Sequence, residues 1–278
     1  MSDVVYRLTD LCVRHPGSGP ETPCILKDFS LEVRAGEQIA LIGPSGAGKT
    51  TLLHVLALAR KPDGGRVEAF GKDVWALSSK ARHALRRRLF IAPQVPPLPP
   101  RQRVVTAVLA GRLARWSLLQ ALASLVRPRD TRLAHDALER FDLGDKLWMR
   151  VDRLSGGERQ RVSLARMIVA DTEAMLVDEP LSALDPRLAS HTLERIQQEA
   201  TARGATLITS LHQVELAHAQ FQRVIGLRFG RTQFDLPRAD VTPELLRALY
   251  AGAGDAPSTP PAEALDDTAL PARPVGCG

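Results

Sequence analysis

Gly43-Pro44-Ser45-Gly46-Ala47-Gly48-Lys49-Thr50 sets glycines, a lysine and a hydroxyl at the spacing of a phosphate-binding loop. The segment follows a short apolar run, Ile39 to Ile42, and opens a helical stretch through Leu58, and Thr51 is expected to bind the nucleotide together with Gly43–Thr50. Gly46 and Gly48 let the backbone curl until successive N–H groups face one anion. The helix N-terminus adds its dipole to the same spot. A lysine at position 49 reaches the β- and γ-phosphates of a nucleoside triphosphate, and the Thr50 hydroxyl is set to ligate Mg²⁺.

A second cluster is acidic. Ala174-Met175-Leu176-Val177 reads as a buried strand that ends in Asp178-Glu179-Pro180. Ligands of α/β sheets sit at the carboxyl ends of strands. Asp178 is therefore expected to hold Mg²⁺ through water, and Glu179 to polarise an attacking water. Further along, Ser155 and Glu158 have the Ser-x-x-Glu spacing of a helix-capping box, with Gly156 and Gly157 between them. Such a helix end is an anion site on the surface.

These groups need elements to carry them. Val4–Val13 and Ile25–Val33 read as strands, and Pro62-Asp63-Gly64-Gly65 as a turn. Leu89–Ala92, Ala174–Val177, Thr206–Leu211, Val224–Leu227 and Arg231–Phe234 read as further strands. Val95–Gln102 is too rich in proline for regular structure, and Val104–Ala165 is mainly helical. The sum is a mostly parallel α/β core with a helical insertion at about 95–165. Residues 1–251 are expected to form one domain, and the Pro/Ala-rich stretch 252–278 a disordered tail.

At Leu154-Ser155-Gly156-Gly157-Glu158-Arg159-Gln160 the sequence resembles the ABC transporter ATPases, whose signature begins Leu-Ser-Gly-Gly. The resemblance runs to about Tyr250 and rests on motifs in the family's order. These are the phosphate loop, Gln94 after a strand, the signature, Asp178-Glu179 and His212 after a strand, with Ser182-Ala183-Leu184-Asp185 matching the D-loop. It implies a P-loop NTPase (RecA-like) core, an antiparallel β subdomain and an inserted α-helical subdomain. It implies that Gln94 senses Mg²⁺ and the attacking water, and that His212 bonds the γ-phosphate and orients Glu179. It also implies a head-to-tail homodimer, in which Ser155-Gly156-Gly157 grips the ATP held by the opposing protomer. The nearest match to the family's adenine-stacking aromatic is His15, whose imidazole stacks more weakly. Glu158 stands where glutamine is commoner, and Val95-Pro96-Pro97-Leu98-Pro99-Pro100 is stiff for a segment that faces membrane subunits.

Leu109–Leu113, Leu211–Ala217, Arg223–Arg228, the insertion Ser117–Arg132 and the ending Val241–Tyr250 narrow the resemblance to the phosphonate importer ATPases. That implies two integral membrane permease subunits, an indirect solute-binding protein and a place on the cytoplasmic face of the inner membrane. A soluble ABC-type ATPase of a carbon–phosphorus bond-cleaving complex, or an ATPase serving another solute, remains an alternative.

Composition sets the outer limits. The 278 residues are 44% hydrophobic and 24% charged, an ordinary globular profile. Aromatics at 4% leave few stacking platforms for single-stranded nucleic acid, and the long coiled coil or zinc cysteines of a DNA-associated ABC ATPase are missing. No nucleic-acid partner is expected. The net charge of +6 fits phosphates or an anionic surface without choosing between them. Cys12, Cys24 and Cys277 are odd in number and lack metal or redox spacing, so a disulfide framework is not expected and a reducing compartment is. Met1–Thr9 has no signal pattern, and no run of about 20 apolar residues predicts a membrane span.

Overall fold

The computed structural model describes residues 3–19, 21–126 and 128–251; the stretch read as a tail, 252–278, lies outside the described residues. Strands β1 (Val4–Val13) and β2 (Leu26–Arg34) pair as an antiparallel hairpin. Then come β3 (Gln38–Ile42), helix α1 (Lys49–Leu56), β4 (Gly64–Ala69), the short β5 (Lys72–Asp73), α2 (Ser79–Arg86) and β6 (Leu89–Ala92). Helices α3 (Val104–Leu109), α4 (Leu118–Val126), α5 (Thr131–Glu139) and α6 (Gly156–Ala170) precede β7 (Ala174–Asp178). The chain closes with α7 (Pro186–Arg203), β8 (Thr206–Ser210), α8 (Val214–Gln220), β9 (Arg223–Arg228), β10 (Arg231–Pro237) and α9 (Pro243–Tyr250).

Two sheets result. The antiparallel one has the order β2-β1-β4-β5, and the larger one β10-β9-β3-β8-β7-β6. In the larger sheet β9, β3, β8, β7 and β6 run parallel, and only the edge strand β10 is antiparallel. Strand periodicity builds the layers. On β3, Ile39 and Leu41 join α1 and the antiparallel sheet in one apolar core, whereas Ala40 and Ile42 face a second core with α6 and α7. On β7, Ala174 and Leu176 take the first side, Met175 and Val177 the second. Burial on both faces explains why these strands are continuous apolar runs.

Two expectations need correction. Gly64-Gly65 was expected in a turn but opens β4. Gly65 has φ +82°, and a Cβ there would lie 2.5 Å from the carbonyl oxygens of Thr9 and Asp10, so β1 and β4 pass at a distance that only glycine permits. The second concerns the cysteines. A disulfide joins Cys12 to Cys24, with 5.6 Å between their Cα atoms. The β1–β2 hairpin brings them together, since Val13 pairs with Leu26 across its mouth. Spacing along the chain carries no sign of such a through-space pair.

Candidate functional site: a nucleotide cleft at the carboxyl ends of the parallel strands

Four neighbouring strands end in the polar groups of the motifs. The loop after β3 is Gly43–Gly48, β8 leads to His212, β7 ends in Asp178 with Glu179 beyond it, and β6 leads to Gln94. Parallel pairing therefore collects on one sheet edge residues up to 169 positions apart, Gly43 to His212.

The phosphate loop is shaped by glycine. Gly43, Gly46 and Gly48 have φ of +148°, +77° and +105°. A Cβ on Gly48 would lie 2.8 Å from Leu26 Cδ2, so β2 packs against the loop from behind. Pro44 accepts the Ala47 amide at 3.1 Å and closes the turn. Ser45 and Gly46 are exposed at the tip. Lys49, at the start of α1, is 5% exposed, and its Nζ donates to Gly43 O at 2.7 Å and Pro44 O at 3.2 Å. Burial pulls its pKa below the ordinary lysine value, opposed by the charges of Glu179 and Asp178. Thr50 is exposed and Thr51 half-buried on the first turn.

The acidic cluster is tied together more tightly than the sequence indicates. Asp178 is 3% exposed and accepts the Ser210 hydroxyl at 2.6 Å; the same hydroxyl accepts the Glu179 amide at 3.0 Å. Glu179 has φ +47°, which turns its side chain out of the strand direction. Its carboxylate accepts Gln94 Nε2 on Oε2 at 2.7 Å and contacts His212 Nε2 through Oε1 at 2.5 Å. Gln94, Glu179 and His212 thus form one hydrogen-bonded set, with Lys49 close enough to feel the Glu179 charge.

Ser155, Gly156 and Gly157 stand apart from this set, at the N-terminus of α6. The capping box is complete: Glu158 N donates to Ser155 Oγ at 3.2 Å, and Ser155 N to Glu158 Oε2 at 2.7 Å. That backbone donor holds the Glu158 carboxyl below the usual range. Ser155 and Gly156 are exposed, leaving this helix end open to the surface. Asp185 caps α7 by accepting Arg187 N and Leu188 N. His15 is exposed on the loop after β1 and lines an open cleft of about 510 Å³ with Arg14, His54, Arg60, Lys61 and Asp63.

Ser210, Gln160 and Tyr250 escaped the sequence reading. Gln160 is 6% exposed; its amide donates to Ser182 Oγ at 2.8 Å and Glu179 O at 3.4 Å and accepts Ala183 N at 3.3 Å. It ties the signature helix to the segment after Glu179. Tyr250 Oη accepts the Gly43 amide at 3.1 Å. Gln160 ends the signature run and Ser210 lies two residues before His212, but neither position shows the contact its side chain makes, and no motif marks Tyr250.

No group of three or more His, Cys, Asp or Glu that would hold a metal occurs among the described residues. Mg²⁺ needs no such group, since it binds through one or two protein oxygens, water and substrate phosphates. The Asp178 carboxylate, the exposed Thr50 hydroxyl and Gln94 are hard oxygen donors of that kind.

Residues 26–182 match the ABC transporter family. The chain belongs to the ABC transporter family. It is 59% identical over 244 residues to the phosphonates import ATP-binding protein PhnC 2 of Albidiferax ferrireducens, with 88% of each chain covered. It is 59% identical over 226 residues to the protein of the same description from Pseudomonas aeruginosa, covering 81% of this chain and 85% of the other. In fold it is similar to a dimeric ATP-binding cassette solved in a post-hydrolysis state with ADP and phosphate, at TM-score 0.73 and 24% identity. That likeness covers 84% of this chain and 98% of the other. This cassette is thus an ATP-binding, ATP-hydrolysing member of the family with a P-loop NTPase fold. No helix among its described residues is long and apolar enough to cross a membrane.

Proposed function

We propose that the cassette drives the import of phosphonates, binding Mg·ATP as a dimer and coupling its hydrolysis to two membrane permease subunits served by a solute-binding protein. The extended identity to two phosphonate import ATP-binding proteins carries the solute assignment. The Gln94–Glu179–His212 set carries the hydrolysis mechanism.

In this reading Lys49 exchanges its bonds to Gly43 O and Pro44 O for the β- and γ-phosphates, and the loop amides complete the cradle. Thr50, Gln94 and, through water, Asp178 would hold Mg²⁺, which would supply charge neutralisation for the phosphates. Glu179 accepts a proton from the attacking water. His212 and Gln94 fix the Glu179 carboxylate from either side, and His212 bonds the γ-phosphate. Ser155, Gly156 and Gly157 meet the ATP of the opposing protomer, His15 stacks on adenine, and Asp185 sets the D-loop between the two. Closure of the dimer stabilises the state that binds ATP better, and hydrolysis releases it.

An apolar surface supports the permease contact. Val95 beyond Gln94 and Leu118, Leu119 and Leu122 on α4 are exposed. The three on α4, within five positions of one helix, are exposed apolar side chains of the kind that mark interaction surfaces. On this account the cassette works at the cytoplasmic face of the membrane.

The test is reconstitution with its permease pair in proteoliposomes. Methylphosphonate with the solute-binding protein is expected to stimulate ATP hydrolysis severalfold, and Lys49→Ala to abolish the response. Recovery of the cassette with soluble carbon–phosphorus bond-cleaving enzymes and no permease would overturn the assignment.

A further inference from the structure

Gly43 is held from three sides. Its carbonyl oxygen accepts Lys49 Nζ at 2.7 Å. A Cβ on it would lie 2.1 Å from the carbonyl oxygen of Leu227, so the end of β9 presses directly on it. The β3–β9 ladder ends one residue earlier, at Ile42 with Gly226. The Gly43 amide is therefore beyond the ladder, and its partner is the phenol oxygen of Tyr250, 207 residues later in the chain.

The helix that presents Tyr250 is fixed at both ends. Thr242 caps α9 by accepting Leu245 N, and Pro243 occupies its first turn. At the other end the Arg228 guanidinium donates to Ala248 O at 2.6 Å and also to Ala251 O. Leu249 is buried in the core shared with α6 and α7. Arg228 belongs to β9, which also touches Gly43 through Leu227, so β9 and α9 grip the root of the phosphate loop together. Gly230, just beyond β9, donates to Ala47 O at 3.2 Å and supports the far side of the same loop. Partial burial pushes the Tyr250 hydroxyl above its ordinary pKa, with Glu215 adding to the rise and the Gly43 amide opposing it.

We infer that Tyr250 is a positioning residue for ATP: by accepting the Gly43 amide it fixes the root of the phosphate loop, and α9 thereby sets nucleotide affinity. The inference rests on the reading of Gly43–Thr50 as the ATP phosphate site. The hydroxyl's bond is to the loop backbone. It acts on the residue whose carbonyl holds Lys49 before nucleotide arrives. A looser root spreads the loop amides over more geometries and weakens ground-state binding. Chemistry at saturation depends on Glu179, so the signature is a rise in KM with kcat retained.

Tyr250→Phe in the full chain keeps the ring and removes only the hydroxyl, and with it the acceptor of the Gly43 amide. ATP Kd and KM are expected to rise about fivefold to tenfold, as for the loss of one hydrogen bond, with kcat within about twofold and a melting temperature lowered only by the unpaired Gly43 amide. Arg228→Gln, which frees the end of α9, is expected to raise KM in the same direction. Lys49→Ala, measured alongside, separates the two readings. If Lys49→Ala loses ATP binding while Tyr250→Phe binds as wild type, the inference fails and the phosphate-site reading stands. If Lys49→Ala binds normally, the phosphate-site reading fails first. A fall in melting temperature and kcat with unchanged KM in Tyr250→Phe would make the residue merely structural and overturn the inference.

Discussion

The Ser210 hydroxyl donates to Asp178 Oδ1 at 2.6 Å and accepts the Glu179 amide at 3.0 Å. One side chain from β8 thus fixes both acids at the end of β7, through the register that sets Asp178 opposite Ser210. Ser210→Ala leaves a buried carboxylate short of a donor and an amide without its acceptor. The expected cost is about 1–3 kcal/mol of stability. ATPase kcat is expected to fall about tenfold as Glu179 loses its fixed direction, about 1.4 kcal/mol of barrier. Thermal unfolding and steady-state hydrolysis measure the two effects separately.

Gly157 sets how closely the signature approaches the D-loop. A Cβ there would lie 2.8 Å from Leu184 Cδ2 and 3.0 Å from Ala183 O. Gly157→Ala shifts the end of the Leu184 side chain and moves the Ala183 carbonyl by a few tenths of an ångström. ATP-dependent dimerisation, followed by light scattering, is expected to weaken about tenfold or more, a shift of about 1.4 kcal/mol. Binding of ATP to one protomer is expected to remain. Unchanged dimerisation would remove Gly157 from the interface.

Glu158 supplies a pH dependence with a definite sign. The Ser155 amide holds its folded pKa below the ordinary value. Its charge therefore stabilises the cassette above the unfolded pKa of about 4.3, and that contribution is lost as pH falls through the folded value. Glu158→Gln keeps a capping acceptor but no charge. Wild type is expected to melt higher than the variant at pH 7, with the gap closing toward pH 3. A gap that widens on acidification would contradict the linkage.

The Cys12–Cys24 bond closes the loop that carries His15. Thiol titration of the denatured, unreduced chain is expected to count one of the three cysteines, and all three after reduction. Replacing both Cys12 and Cys24 by serine is expected to cost about 2–4 kcal/mol if the loop is disordered on unfolding. Three reactive thiols before reduction would contradict the bond.

Much of this site is legible in the chain because its strands are buried on both faces. Ile39–Ile42 and Ala174–Val177 announce themselves as apolar runs, and the polar residues that follow each run stand at a sheet edge. The phosphate loop and the Ser155–Glu158 box are local, so spacing alone carries them. What stays hidden is pairing through space. Ser210, Gln160 and Tyr250 act on residues 31, 19 and 207 positions away, and even at Gln160, which closes the signature run, the chain does not show what the side chain reaches. The disulfide and the opening of β4 at Gly64 are hidden for the same reason. Both depend on how β1 lies between β2 and β4.

Glu179, held between Gln94 and His212, is expected to be the base that activates water against bound ATP. Glu179→Gln preserves shape and hydrogen-bonding capacity but removes the carboxylate. The direct measurement is ATP affinity and single-turnover hydrolysis of this variant beside wild type. ATP binding is expected to stay within a few-fold of wild type and hydrolysis to slow by about 10²–10⁴, the contribution of a positioned general base. The variant is also expected to accumulate as an ATP-bound dimer. Hydrolysis at near-wild-type rate would contradict the account and remove Glu179 as the base.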